Sequence, residues 1–130
     1  MFNLYLSLLL IIGLIAGTLF STGQVSIFID LPSFLIVFVG AILYSLASGG
    51  DNLERIDNLG YGAIRMGWIG FIIGIIFITS NGLLNDIEKL GPAFGVALIT
   101  IFYGYIIQLL TNMVAIRIEN NRLEEEVKEL

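Results

Sequence analysis

The sequence predicts an all-α integral membrane protein with four transmembrane helices, the fourth extending into the cytoplasm. Three observations carry that expectation. Apolar residues make up 57% of the 130 positions, leaving too few polar groups to coat a water-soluble globule of this size. The charges are segregated: Met1–Ile29, Leu31–Gly50, Met66–Asn85 and Leu90–Ile116 contain no Asp, Glu, Lys or Arg, and each stretch can cross a hydrocarbon core. Clusters of turn-forming residues separate these stretches where helices must end.

The first span is expected over about residues 3–20, stopping at Ser21-Thr22-Gly23. It has no basic residue before its apolar run and no small-x-small cleavage site, so it reads as a span rather than a secretory signal. Asp30-Leu31-Pro32-Ser33 reads as the start of the second span, 33–48, because proline in a first turn loses no needed hydrogen bond and Asp30 can cap free N–H groups. Gly49-Gly50-Asp51-Asn52 breaks that helix, and a linker with Glu54, Arg55 and Asp57 leads to Tyr61. The third span covers about 62–79 and closes at Ser80-Asn81-Gly82. A loop with Asp86, Glu88 and Lys89 precedes the fourth span, 92–116, whose start is expected at Pro92. No proline or glycine follows Gly104, so the last helix should run unbroken from a membrane domain, 1–117, into a charged tail, 118–130, and be the longest element.

Lys and Arg set the orientation. Arg55 and Arg65 flank the central linker, Arg117, Arg122 and Lys128 follow the last span, and only Lys89 falls on the other side. Both termini should therefore be cytoplasmic. The chain has no cysteine and no histidine, which removes disulfides, thiol chemistry and the common zinc and haem ligand sets. No metal site or cofactor is implied. Nor is a nucleic-acid partner, since the net charge is -5 and there is no basic patch. No nucleotide loop or nucleophile with its base appears, so an enzyme is not expected.

No ionisable group lies in the middle of a span, although proton or sodium translocation normally needs a membrane-buried carboxylate. Such an acid would have to come from another chain. Arg65 sits near the cytoplasmic end of the third span, where its stem can snorkel to the headgroups; the rival reading places it at the cytoplasmic end of a pore with Gln108 and Thr111. Small residues form rows on single helix faces: Gly13 and Gly17; Gly67, Gly70 and Gly74; and Ala97, Thr100 and Gly104, extended by Ala93, Gln108 and Thr111. Packing within one subunit is the expectation for Gly13 and Gly17. The fourth-span row grows more polar toward the cytoplasm, which suits a partner helix or a thin water file better than lipid. In the tail, Ile116, Asn120, Leu123, Val127 and Leu130 have the spacing of a short coiled-coil seam or a solvated helix end. Tyr61 is the aromatic residue placed as an interfacial anchor; Trp68, Tyr103 and Tyr105 read as packing residues.

Three stretches make the chain resemble the ion-channel subunits of the MotA, TolQ and ExbB family, the MotA branch most closely. Gly23-Gln24-Val25-Ser26-Ile27-Phe28-Ile29-Asp30-Leu31-Pro32-Ser33-Phe34-Leu35-Ile36-Val37, ending at Gly40, resembles the family's first loop and second span. Leu90-Gly91-Pro92-Ala93-Phe94-Gly95-Val96-Ala97-Leu98-Ile99-Thr100-Ile101-Phe102-Tyr103-Gly104 resembles its fourth span, and Gly67-Trp68-Ile69-Gly70 with Gly74 its third. The resemblance implies a bacterial inner-membrane subunit that forms a homo-oligomeric ring, a pentamer in the family. The ring would surround two copies of a single-span MotB-, TolR- or ExbD-like partner whose aspartate carries H⁺ or Na⁺.

By that resemblance, spans three and four line the centre, and Ala97, Thr100, Ile101, Gly104, Gly67, Gly70, Phe71 and Gly74 face the pore or the partner. The departures are specific. Phe71 stands where the family usually has a threonine, Ile101 where it often has the second of a threonine pair, and Ile64 and Val114 replace prolines. The large cytoplasmic domain between spans two and three is missing. Two alternatives follow: a non-conducting scaffold of the same fold, and a small four-span transporter, which would need the membrane-embedded acid that the spans lack.

Overall fold

The computed structural model describes residues 1–130 and is all-helical. Its four long helices are α1 (Phe2–Ser21), α2 (Leu31–Ser48), α3 (Asn52–Ser80) and α4 (Ile87–Glu129). Each is long and apolar enough to cross a membrane. Single 3₁₀ turns, Val25–Phe28 and Leu83–Asn85, fill the first and last connections.

Local chemistry sets the breaks. After α1, the Ser21 and Thr22 hydroxyls donate to the carbonyls of Thr18 and Leu19, and Gly23 takes a positive φ of 70° that a side chain would disfavour. Asp30 accepts the Ser33 N–H at 2.9 Å and so caps α2. Between α2 and α3 only Gly49, Gly50 and Asp51 lie outside the helices. Asp51 and Glu54 form a capping box, each side chain accepting the other's backbone N–H. The expected linker with Glu54, Arg55 and Asp57 is thus the first turns of α3. Helix α4 likewise begins at Ile87, not at Pro92, because Asp86 caps it by accepting the Lys89 N–H. Pro92 lies inside the helix, where its missing N–H leaves the Glu88 carbonyl without an intrahelical partner. With no later glycine or proline than Gly104, α4 continues for 43 residues, about 65 Å at 1.5 Å per residue.

Helices α3 and α4 form the main hairpin, α2 lies along α3 and touches α4, and α1 makes few contacts. The packed centre is small: Val37, Ala41 and Ala63, ringed by Ile36, Leu59, Tyr103 and Ile107. Only 16 of 130 residues are buried, so most of the apolar surface faces outward. On α1 only Leu4 is buried. Gly13 and Gly17 meet nothing within 4 Å, so the expectation that they pack within the subunit fails: α1 is held away from its neighbours along that face.

Helix α2 is offset along α3. The Ser45 hydroxyl donates to the Arg55 carbonyl, a methyl at Gly62 would approach Ala41, and Pro32 and Ser33 share a groove with Gly70. Ten residues of α3 continue past that level, about 15 Å of helix, so the α3–α4 turn stands beyond the α1–α2 loop. Tyr103 fixes the offset. Its hydroxyl accepts the Asp30 N–H at 2.9 Å and donates to the Phe28 carbonyl, tying the loop to the middle of α4.

Candidate functional site: the α3–α4 hairpin

The two rows of small residues meet each other. A methyl at Gly67 would lie 2.7 Å from the Thr100 carbonyl oxygen, one at Gly70 2.9 Å from Thr100 Cγ2, and one at Gly74 2.6 Å from Ala97 Cβ. From the other side, a methyl at Gly104 would lie 2.6 Å from the Ala63 carbonyl oxygen. Ala97 and Thr100 are 3% and 4% exposed. The Thr100 hydroxyl donates to the Gly67 carbonyl at 2.9 Å and the Ala97 carbonyl at 2.8 Å. Rows of matching three-and-four spacing on adjacent antiparallel helices complement each other, and the backbones close up where side chains are absent.

Within the single chain Ala97, Thr100, Gly104, Gly67 and Gly70, expected to face a pore or partner, are buried where the two helices meet. Gly74 is half-buried and, with Gly70, Ala97 and Thr100, borders a groove beside Pro32 and Ser33. Gln108, Thr111 and Arg65, expected together at one pore end, lie on different faces of the single chain. Gln108 and Thr111 pack at Gly60, within the α3–α4 seam, whereas Arg65 turns toward α2 and donates to the Tyr44 hydroxyl.

Ile101 and Phe71 stand apart from the seam. Positions one residue after the α3 seam glycines fall on the side turned from α2, and there Phe71 packs edge-on against Trp68 and Phe94, at 5.9 and 6.1 Å between centroids. Along α4, Phe94, Leu98, Ile101 and Tyr105 follow the same side at helical spacing. Tyr61, Trp68, Phe94, Leu98 and Tyr105 are all exposed. This open side is apolar and aromatic, with no ionisable group between Tyr61 and Trp68 on α3 except Arg65, which points elsewhere.

One of the two ion pairs lies at the end of the hairpin away from its turn. Arg122 on the α4 tail donates twice to Asp51, both at 3.1 Å. The Glu54 N–H, then the Arg122 guanidinium, hold the Asp51 carboxyl below its ordinary value of 3.8. No three His, Cys, Asp or Glu side chains converge in metal-binding geometry.

Sequence reasoning missed three of these contacts: Tyr103 with the α1–α2 loop, Tyr44 with Arg65, and Asp51 with Arg122. A tyrosine inside an apolar helix was the available signal for the first, since a buried hydroxyl needs a partner. Neither of the others has a local signal, because their partners are 21 and 71 residues apart.

No family model, no characterised protein and no solved structure matches the chain.

Proposed function

We propose that the chain is a ring-forming membrane subunit that packs around a single-span MotB-, TolR- or ExbD-like partner, within an ion-driven machine of the bacterial inner membrane. The observation that carries the reading is the open side of the α3–α4 hairpin. It is continuous, apolar and uncovered by α1 or α2, which suits a transmembrane partner helix or the next copy of the chain. All four helices span the bilayer with both termini cytoplasmic, consistent with the distribution of Lys and Arg. The ion-carrying acid belongs to the partner, since no helix of this chain holds one in its apolar middle. The sequence resemblance to the MotA, TolQ and ExbB family supports the same arrangement.

One observation favours a second reading, a non-conducting scaffold of the same fold. Phe71 and Ile101, where the family places threonines, are on the open side, and the remaining Thr100 hydroxyl is spent on the carbonyls of Gly67 and Ala97. A path along this surface would offer an ion no hydroxyl from either position.

The absence of native cysteine makes the test direct. Leu98→Cys should crosslink in the membrane to a co-purifying single-span protein or to a second copy, while Leu43→Cys, on exposed α2 surface, should not. Crosslinking from Leu43 alone would remove the open side as the interface.

A further inference from the structure

Arg65 is a cation set inside an apolar stretch of α3, eight residues beyond Asp57, about 12 Å along the helix. It is exposed, and it lies opposite the α4 seam, since positions 63 and 67 face α4. Its guanidinium donates to the Tyr44 hydroxyl and sits 5.1 Å from the centroid of the Tyr44 ring. The side chain is therefore held in place rather than free to sweep the surface. No carboxylate neutralises it: the two ion pairs of the chain are Lys89–Asp86 and Arg122–Asp51. Of the five N–H donors on a guanidinium, one is engaged, and the planar fork that remains matches two oxygens of a phosphate.

We propose that Arg65 and Tyr44 form a binding site for the phosphodiester of an anionic glycerophospholipid, taken from the leaflet that contacts the α2–α3 surface. This rests on the reading of α2 and α3 as membrane spans. An uncompensated cation at the edge of the hydrocarbon region is costly unless an anion meets it, and anionic headgroups are the abundant anions at that depth. A choline or ethanolamine headgroup carries its own cation and would leave Arg65 with no net counter-charge. Arg55, whose side chain donates to the Gly50 carbonyl at the end of α2, adds positive charge on the same two helices and none of the cation's own neutralisation.

The test is native mass spectrometry of the purified complex, incubated in separate samples with phosphatidylglycerol, phosphatidylcholine and inorganic phosphate. Wild-type protein should retain phosphatidylglycerol in preference to phosphatidylcholine and should retain no inorganic phosphate. Arg65→Gln should lower phosphatidylglycerol retention by about tenfold or more, the worth of a charge-assisted hydrogen bond. Tyr44→Phe, which keeps the ring and loses the hydroxyl, should lower it by a smaller factor. Equal retention of the two lipids, or no change in Arg65→Gln, would overturn the site. Retention of inorganic phosphate at the same strength would overturn the lipid as its source. Subunit copy number is read from the same spectra: an intact ring without lipid preference rejects this site alone, and a lone chain without a partner rejects the proposed function instead.

Discussion

The Thr100 hydroxyl on α4 donates to the Gly67 carbonyl on α3 across 2.9 Å, at the level where a methyl on Gly67 would collide with the Thr100 carbonyl oxygen. A close approach of the two backbones and a polar contact between the helices coincide there.

Gly67→Ala should be costly. The added methyl meets backbone at 2.7 Å, and backbone cannot rotate away as a side chain can, so the hairpin must open at a cost of about 1–3 kcal/mol. Gly17→Ala on α1 meets nothing within 4 Å and should be neutral or stabilising by up to ~1 kcal/mol, the helix-propensity difference. Thermal unfolding in detergent, followed by circular dichroism, checks the pair; equal midpoints would show that the seam is not close-packed.

Thr100→Val keeps the shape of the side chain and removes the hydroxyl. Its loss should cost about 0.5–1.5 kcal/mol, because the Gly67 and Ala97 carbonyls keep their places in the helices. Partner co-purification and any ion flux should stay at the wild-type level, since Thr100 is 4% exposed. A loss of flux with stability unchanged would return Thr100 to the ion path.

Tyr103→Phe should free the α1–α2 loop. The ring stays packed edge-on against Phe34, at 5.8 Å, but the Asp30 N–H and Phe28 carbonyl lose their partner. Amide hydrogen exchange at Asp30 should accelerate while α3 is unaffected. Unchanged exchange at Asp30 would show that the hydroxyl does not hold the loop.

The first turn of α3 should respond to acid. Asp51 has a folded pKa below its ordinary 3.8, so its contribution is complete above pH 3.8 and disappears as pH falls through the lower, folded value. Normalised protection of the Leu53 and Glu54 amides should be flat from neutrality down to about that pH and then decline. In Asp51→Asn the acid-dependent decline should vanish, since Asn caps the helix without titrating; a decline of the same size would assign it to another group.

Much of the helical layout was legible because its determinants are local. Asp30 before Pro32, Gly49-Gly50 before Asp51, and the lack of glycine or proline after Gly104 each act on a few neighbouring residues. The start of α4 was misread because Pro92 is a conspicuous break, whereas Asp86, which caps the helix, looked like one charge among several in a loop. The site was less legible for a different reason. Helical spacing shows that Ala97, Thr100 and Gly104 share a face, but not what covers it. Here the covering surface is the glycine row of the same hairpin, so the residues with the strongest pattern were the least available to a partner. Phe71 and Ile101, which stood out only as departures from a family pattern, occupy the side that is open.

Copies of this chain are proposed to form a ring around a single-span partner. Native mass spectrometry of the complex extracted in mild detergent tests it most directly, by counting copies and identifying what co-purifies. Five copies of this chain with two of a single-span protein bearing an aspartate within its membrane segment are expected. Two copies and no partner would contradict it.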